Sequence, residues 1–522
     1  MSKNSTTDVL IVGAGPTGLM LACQLSSHSD VSFRIIDKNQ SRTNQSRAIL
    51  VHARTLEAFA QLNLFDKVTV AGQCLRGNTF YVNGRICVYL NYRRLIDEMN
   101  YLHTQYPYIY VMEQSETERI LEDYLNGRGI FVERKTELDS FQDIESADGP
   151  KIQATLNTGE VITSRYLCGC DGSHSIVRQQ LNIPFEGNTY SESLFVIDCK
   201  TKNLPVPMKE MALFVGYSGS VVAFPLANDR HRIFGTLHDS HLDEGEMTVD
   251  TVTRIFRERS KYKDFAVLEH GWLSTYRSHS RMVTSFSHGS RYFLIGDAAH
   301  IHSPVGGQGM NLGLEDSRNL AWKLVFSMRK SANQRLLDSY HDERFEVAKS
   351  MLKNVGKAHA ILTSKHWLFG WYRILILPII FRMIVWPLYF LSKKVRRKYF
   401  LAVSQLGISY RPPKIVDDTS SSGKFFASVP HPGDSFPYLI FDNLSYHLLV
   451  FEESTLPGVS DFINMVTSKY FEIIKVHENN SLQKLPFDVN GSVLIRPDGY
   501  VAYRTSSFDQ EHFQKYLRRY FS

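Results

Sequence analysis

The apolar residues at the start of the chain form short continuous runs separated by turn residues. Thr7–Val12 is one run, an apolar stretch with helical spacing continues to about Ser27, and Ser32–Asp37 is a second run. Short apolar runs bounded by turn residues predict buried strands, and the longer stretch predicts a helix between them. This order predicts a parallel βαβ unit whose sheet is covered on both faces.

The middle of the chain has a different pattern. Residues 188–283 are rich in the apolar–polar alternation of half-buried strands, whereas Arg291–Gly296 is again a short apolar run, followed by a glycine-rich turn and a long helix. We therefore predict an α/β protein with a Rossmann-like nucleotide-binding domain in two parts, residues 1–187 and 284–365. The β-sheet domain at 188–283 is inserted between these parts and is predicted to bind the substrate.

The most apolar stretch of the chain is Trp367–Leu391, within a predicted helical segment at residues 366–411. It is long enough to span a bilayer, but the two arginines and two prolines inside it disfavour a span. The basic run Lys393–Lys398 follows it directly. Three interpretations stay open: a buried helical hairpin, peripheral attachment to a membrane through residues 367–398, and a true membrane span.

The end of the chain is predicted to be a separate unit. A linker rich in serine and proline occupies residues 412–422, and residues 423–522 contain a hairpin signal at Pro497-Asp498-Gly499. We expect an α/β domain here. All six cysteines of the chain precede residue 200, which excludes dithiol chemistry from this domain.

Composition narrows the class of protein. The chain has 522 residues, 43% of them hydrophobic and 21% charged, which excludes a disordered protein. Its net charge is +6, and Lys393–Lys398 alone carries five positive charges, so no nucleic-acid partner is expected. No cysteine pair has C-x-x-C spacing, which disfavours a zinc ribbon. The polar N-terminus lacks the apolar core of a secretory signal, and we expect a cytoplasmic location.

Residues 13–18 read GAGPTG and have the dinucleotide-binding spacing G-x-G-x-x-G. Gly13 permits the tight turn, Gly15 lets the backbone approach a pyrophosphate, and Gly18 lets helix and strand pack closely. The helix N-terminus supplies free N–H groups for the phosphates. Asp37, at the end of the second strand, is placed to accept a hydrogen bond from a ribose hydroxyl. This fingerprint fits either NAD or the ADP half of FAD.

Two further segments favour FAD. Residues 167–178 read LCGCDGSHSIVR, and residues 291–311 read RYFLIGDAAHIHSPVGGQGMN. Together with GAGPTG they resemble the three signatures of the FAD-dependent aromatic hydroxylases, the class A flavoprotein monooxygenases related to p-hydroxybenzoate hydroxylase. NLGLEDSRNLAWKL and LLDSYHDER extend the resemblance over the first 350 residues. SQLGISYR and LIRPDGYVAYR extend it to the subgroup with a C-terminal thioredoxin-like domain, which includes phenol, resorcinol and polyketide hydroxylases.

The resemblance implies roles for individual residues. Asp297 is similar to the acid that binds the flavin ribityl chain, and Pro304 resembles the proline whose carbonyl lies over the C4a region of the flavin. Arg47 matches an arginine near the pyrophosphate and the nicotinamide channel, so Pro304 and Arg47 are the predicted catalytic residues. A metal site at His300 and His302 lacks a third ligand, and none is assigned. The other implied cofactor-binding residues are Gly13, Gly15, Pro16, Thr17, Gly18, Asp37, Lys38, Gln114, Asp171, Gly172, Gly307, Gln308, Gly309, Met310 and Asn311.

The function that the resemblance implies is FAD-dependent monooxygenation. NADPH or NADH reduces FAD, O2 is the co-substrate, and a flavin C4a-hydroperoxide hydroxylates an aromatic substrate, either phenolic or polyketide-like. Epoxidation or Baeyer–Villiger oxygenation of a polyketide or isoprenoid stays open, as does a non-catalytic FAD-binding scaffold. The sequence fixes neither the base that ionises a phenol nor the oligomeric state, for which a homodimer is one option.

Overall fold

The computed structural model shows a mixed α/β protein and begins with the βαβ unit that the sequence predicts. Strand Asn4–Val12, helix Pro16–Leu25 and strand Phe33–Asp37 follow one another, and the two strands pair in parallel. The structure describes residues 4–42, 48–97, 104–147, 149–237, 247–329, 332–364, 366–410, 417–418, 433–436, 444–451, 459–469, 474–478, 491–505 and 510–521.

The first sheet is centred on Asn4–Val12, which also pairs in parallel with Val161–Gly169. The apolar end of this central strand is buried in a core that it shares with helices Pro16–Leu25 and Gly309–Met328. In spatial order the sheet contains Ser287–His288, Tyr292–Leu294, Val161–Gly169, Asn4–Val12, Phe33–Asp37 and Glu133–Arg134, and Lys151–Leu156 and Leu138–Ile144 extend it beside Val161–Gly169.

The second sheet is mostly antiparallel and is built on two strands of 18 residues, Phe185–Lys202 and Ala266–Val283. Two of its strands come from residues 77–91, which lie outside the predicted inserted domain. One of them, Gly77–Val82, pairs with Glu210–Gly216, and this pairing depends on contacts distant in sequence, which local patterning does not encode. In spatial order the strands are His300–Ile301, Ala266–Val283, Phe185–Lys202, Arg230–Leu237, Gly219–Pro225, Glu210–Gly216, Gly77–Val82 and Arg85–Asn91.

A small third sheet contains Leu50–Val51, Tyr110–Val111 and Gln73–Cys74. The helices pack around these sheets, and two long helices follow one another along the chain, Gly309–Met328 and Gln334–Thr363. A 3-10 turn at Gly296–Ala298 carries Asp297, one of the predicted site residues. The remaining described helices are Pro16–Leu25, Ala53–Gln61, Phe65–Ala71, Tyr92–Asp97, Gln114–Asn126, Ile176–Gln180, Val249–Ser260, Trp367–Leu391, Lys393–Val403, Val459–Lys469 and Gln510–Leu517.

The apolar segment is one continuous helix, Trp367–Leu391, which we call the apolar helix. The buried-hairpin interpretation is wrong, because only 6% of its most apolar window is buried in the protein. Its prolines do not break it, because π-helical turns at Tyr372–Ile376 and Phe381–Val385 precede them. A π turn changes the hydrogen-bond register where a proline lacks its donor and crowds the preceding turn.

The C-terminal sheet has the spatial order Asp417–Asp418, Val501–Thr505, Gly491–Ile495, Tyr446–Phe451 and Ile474–Glu478. It is joined to the long helices by buried ion pairs. The Arg496 guanidinium donates to Glu343 at 2.6 and 2.9 Å and to Asp498, and Lys323 donates to Glu343 at 3.0 Å. Arg496 and Lys323 are completely buried.

Candidate active site

The glycines of GAGPTG have three different surroundings. A Cβ at Gly13 would collide with the backbone of Cys170, and a Cβ at Gly18 would collide with the carbonyl of Gly13. Gly13 also has a φ of +102°, which disfavours any L side chain. At Gly15 a Cβ would instead point into open space, with no non-neighbouring atom of the described chain within 4 Å. Gly13 and Gly18 therefore shape the turn, whereas Gly15 opens it toward a ligand.

Asp37 holds the glycine-rich turn in place from the next strand. One carboxylate oxygen accepts a hydrogen bond from the Ala14 N–H at 2.7 Å, and the other accepts from the Asn39 N–H at 2.8 Å. Its neighbour Lys38 is exposed. Each carboxylate oxygen keeps a second lone pair, so the predicted ribose contact of Asp37 is compatible with this geometry.

Asp297 projects from the 3-10 turn Gly296–Ala298, which follows the strand Tyr292–Leu294. Its side chain is exposed although Gly296 and Ala298 on either side are buried. Gly296 has a φ of +61°, and a Cβ there would lie 2.6 Å from Thr17 Oγ1. This close approach fixes the turn against the glycine-rich loop and leaves the Asp297 carboxylate facing outward, as a polyol ligand would require.

The turn before helix Gly309–Met328 is closed by a hydrogen bond from the Gly307 N–H to the Pro304 carbonyl, at 2.9 Å. Asn311 is fully buried and fixes this turn to the small third sheet. Its amide donates to the carbonyls of Leu50 at 2.8 Å and Gly307 at 3.0 Å, and its oxygen accepts from the His52 N–H at 2.9 Å. The observed role of Asn311 is therefore to position the turn.

The side chains next to this turn pack into the protein, whereas the backbone of the turn is left to face a cofactor. The side chain of Gln308 is buried and is occupied by the protein: its amide donates to the Val403 carbonyl at 3.2 Å, and its oxygen accepts from Gln405 at 2.7 Å. Met310 is half-buried and packs on the main core. The backbone of Gly307, with a φ of +61°, passes so close to Leu50 that a Cβ would lie 2.6 Å from Leu50 Cδ1. Cofactor contacts from this stretch would therefore come mainly from its backbone.

Asp171 and Gly172 form the turn after strand Val161–Gly169. One Asp171 oxygen accepts from the Val177 N–H at 3.2 Å, at the start of helix Ile176–Gln180, and burial raises the pKa of this carboxyl group. Its other oxygen has no hydrogen-bond partner in the described part of the chain. Gly172 has a φ of +77°, which suits glycine.

Gln114 lies at the start of helix Gln114–Asn126, and its predicted contact with the cofactor stays a prediction. Its side-chain oxygen accepts from the Ala48 N–H at 3.3 Å, and its amide donates to Glu118 at 3.0 Å. It therefore anchors the chain that leads out of the loop before Leu50. Arg47 lies outside the described residues, so its predicted catalytic role stays a prediction.

Polar atoms left without protein partners surround this site. Within the described residues, His52 Nδ1, His302 Nε2 and the second oxygen of Asp171 are buried and have no hydrogen-bond partner. Buried polar atoms are normally satisfied, so each exception needs a partner or an explanation, and a bound ligand would provide one here. Together with the open space at Gly15 and the exposed Asp297, they fit FAD.

His52 and His302 make the stability of the FAD-free protein depend on pH. Burial lowers the pKa of each imidazole to about 4. The unfolded chain takes up these protons near pH 6.5, so the folded state loses stability as the pH falls from 6.5 to 4, by about 3 kcal/mol per imidazole. Urea unfolding across this window should show a smaller loss for His302→Asn. Exposed His288→Asn is the control, and an identical loss in all three proteins would contradict this account.

A cluster of basic side chains beside Asp171 combines two residues of the motif at 167–178 with two residues from a distant strand. His174 follows the Asp171-Gly172 turn, and Arg178 lies near Asp171 and Arg281. Burial, Arg281 and His174 together lower the pKa of His279. Arg281, for which the sequence alone favours a structural role, reaches the site from strand Ala266–Val283, opposite Ile301. Only the pairing of distant strands brings these residues together.

Comparison with known proteins identifies the family. A family model described as "FAD binding domain" matches residues 6–355, which is most of the chain. The chain belongs to the FAD-dependent aromatic hydroxylases. It is 33% identical over 383 residues to 6-methylpretetramide 4-monooxygenase of Streptomyces rimosus, covering 69% of this chain and 62% of that protein. It is 32% identical over 367 residues to pentachlorophenol 4-monooxygenase of Sphingobium chlorophenolicum, covering 69% of this chain and 66% of that enzyme.

Among solved structures, this hydroxylase-family chain is similar to the OxyS anhydrotetracycline hydroxylase from Streptomyces rimosus. The TM-score is 0.74 at 25% sequence identity, and the match covers 99% of both chains. The sequence matches to the two monooxygenases above span slightly less than two thirds of those enzymes, whereas the structural match extends through the C-terminal region. The structural similarity therefore reaches beyond the part of the chain that the sequence matches cover.

Proposed function

We propose that this protein is an FAD-dependent monooxygenase that uses NADPH or NADH and O2 to hydroxylate a phenolic or polyketide-like aromatic substrate. The observation that carries this proposal is the turn Pro304–Gly309 at the N-terminus of a 20-residue buried helix, beside the open glycine loop. The similarity to pentachlorophenol 4-monooxygenase supports the substrate class, since pentachlorophenol is itself a phenol. Epoxidation or Baeyer–Villiger oxygenation is the alternative within the same class of cofactor chemistry.

The residues of the chain would bind and orient the cofactor. The loop at Gly15 would accept the pyrophosphate, Asp297 the ribityl hydroxyls and Asp37 a ribose hydroxyl. The positive end of helix Gly309–Met328 favours negative charge near its first turn by roughly 1 kcal/mol. FAD, when bound, would supply the acceptor for electrons from the reduced nicotinamide and the group that activates O2. The protein would fix the geometry and exclude water. Pro304 and Arg47 are proposed to contact the reacting part of this assembly.

We propose that the reduced nicotinamide cofactor docks at the cluster of His174, Arg178, His279 and Arg281. A pyrophosphate or ribose phosphate would accept charge-assisted hydrogen bonds from the arginines, and a neutral hydrogen bond from His279, because the pKa of this imidazole is lowered. Arg281→Met should raise the KM for NADPH by at least about tenfold, since such a bond contributes about 1.5–3 kcal/mol, with FAD content unchanged. Steady-state kinetics on the FAD-loaded protein tests this. Lys200→Met, which removes an exposed ion pair with Glu269, is the control and should leave KM unchanged.

The activity itself is tested by NADPH oxidation with purified, FAD-loaded protein. The panel should contain a simple phenol, a fused-ring phenolic polyketide, an isoprenoid alkene and a cyclic ketone, and products should be scored by mass. We expect the phenols to stimulate oxidation and to gain one oxygen atom. Product from the alkene or ketone alone would favour the epoxidase or Baeyer–Villiger alternative. Bound FAD that NADPH and NADH both fail to reduce would contradict the proposal and favour a non-catalytic scaffold.

We also propose that the C-terminal unit is a thioredoxin-like domain with a structural role. Its parallel strands Tyr446–Phe451 and Ile474–Glu478 are joined through helix Val459–Lys469, and an antiparallel hairpin and a final helix follow. It contains no cysteine. The six cysteines elsewhere are free thiols, which supports a cytoplasmic location for the enzyme. The domain boundaries and a homodimer stay predictions.

A further inference from the structure

We infer that the apolar helix and the basic helix after it, Lys393–Val403, form a docking surface for an anionic lipid bilayer, with the apolar helix lying in the plane of the interface. The apolar helix has 25 residues, and its most apolar 18 consecutive residues have a mean hydropathy of 2.2. A core helix of a globular protein can be equally apolar, but such a helix is buried, and this one is not. The inference does not rest on the proposed activity.

The exposed apolar side chains are concentrated on this helix. Of the twenty large apolar side chains that are exposed in the described residues, thirteen belong to it. Single exposed apolar residues are ordinary on protein surfaces, whereas a contiguous patch marks a binding surface. Six of these exposed residues are spaced three, four or seven positions apart and so share one helical face: Leu368, Leu375, Ile379, Met383, Trp386 and Phe390.

The other side of the apolar helix contacts the protein near both ends and in the middle. Arg373 is buried and donates to the carbonyls of Tyr217, Ser364 and Ile361, at 2.6, 2.9 and 3.1 Å. Near the other end, the Tyr389 hydroxyl donates to the Asn91 carbonyl at 3.2 Å.

Between these ends the helix also packs on the second sheet. The Phe381 ring lies 5.2 Å from that of Phe80, centroid to centroid. A helix held against a protein surface at both ends and in the middle cannot cross a bilayer. It can only lie along one, with its free face in the acyl region.

The charges around the helix complement anionic headgroups. No aspartate or glutamate occurs between residues 347 and 416, and the same stretch contains thirteen lysines and arginines. Lys393, Lys394 and Lys398 are exposed at the C-terminal end of the apolar helix. Each cation near an anionic bilayer adds to the attraction, which falls with salt. A second copy of the chain is a poorer occupant of this face, because it would bring two basic helices together.

Vesicle flotation with the full-length, FAD-loaded protein tests this inference. Vesicles of phosphatidylcholine with phosphatidylserine should carry the protein upward, and pure phosphatidylcholine vesicles should bind at least tenfold less. The variant Leu375→Ser/Ile379→Ser/Met383→Ser should lose at least tenfold in binding, while keeping its FAD content and melting temperature. Lys393→Gln/Lys394→Gln/Lys398→Gln should lose binding to the phosphatidylserine vesicles only.

The matched control is Val70→Ser/Phe131→Ser/Leu268→Ser, which removes three equally exposed apolar side chains elsewhere and should bind like wild type. Wild-type protein that stays with the aqueous fraction at both lipid compositions would overturn the inference. So would a wild-type dimer that the Leu375/Ile379/Met383 substitutions convert to a monomer in the absence of vesicles, since the apolar face would then be a contact between two copies. Binding that resists both salt and alkaline extraction would overturn the in-plane orientation in favour of a span.

Discussion

Gly15→Val should abolish retention of FAD and leave the FAD-free protein as stable as wild type. Gly15 has a φ of −74°, which any L residue adopts, and no non-neighbouring atom of the described chain lies within 4 Å of its Cβ position. The valine side chain therefore collides with no atom of the described protein, and it would collide only with a bound ligand. A pyrophosphate held away from the helix N-terminus loses one or two charge-assisted hydrogen bonds, about 3 kcal/mol, or roughly a hundredfold in Kd.

The measurement is a titration of FAD-free protein with FAD, with a thermal melt of the same preparation. Gly18→Val is the contrasting variant, because its side chain would collide with the Gly13 carbonyl and should lower the melting temperature. Gly271→Val, at an open position on the second sheet, should change neither quantity. Equal FAD affinity of Gly15→Val and wild type would show that the open side of this loop does not face the cofactor.

Arg496→Met should destabilise the protein by about 3–5 kcal/mol, because it removes one partner from a buried ionic cluster. Arg496 is completely buried between Glu343 and Asp498. Burial alone would raise the pKa of Glu343, but Arg496 and Lys323 outweigh burial and hold this pKa at about 2. Without the guanidinium, Asp498 and half of the Glu343 carboxylate would be left charged and unpaired away from water.

Urea unfolding at neutral pH measures this loss. Arg329→Met breaks an exposed pair with Asp30 and should cost less than about 1 kcal/mol. Because Glu343 lies on helix Gln334–Thr363 and Arg496 on the C-terminal sheet, we expect proteolysis to release the C-terminal unit first in the variant. Similar unfolding free energies for both variants would mean that the cluster contributes no more than a surface pair.

The parts of the fold that local patterning encodes were predictable from the sequence. The opening βαβ unit is one example, since a short apolar run, a glycine turn and a second apolar run need only neighbours in the chain. The surroundings of Gly13 and Gly18 agree with the turn that their spacing predicts. Family membership followed from three motifs whose residue order is specific enough to be recognised.

The parts that depend on distant pairing were not predictable in this way. Strand Gly77–Val82 joins the second sheet by pairing with a strand more than a hundred residues away in sequence, and Arg85–Asn91 pairs with Gly77–Val82 at the edge of that sheet. Arg281 reaches the site because its strand pairs with Ile301. Three interpretations of the apolar helix stayed open, because hydropathy alone cannot distinguish a buried helix from an exposed one. The hydrogen bonds of Arg373 to backbone carbonyls hold one side of this helix against the protein and so leave the other side exposed.

Incorporation of isotopically labelled oxygen tests the central claim most directly. FAD-loaded protein is given NADPH, a phenolic substrate and ¹⁸O₂ in ordinary water, and the product is analysed by mass. The account predicts one labelled oxygen atom on the aromatic ring of the product, formed by wild type and lost in Gly15→Val. A hydroxylated product whose new oxygen comes from water, or NADPH consumption that yields only hydrogen peroxide with every phenol and polyketide tested, would contradict it.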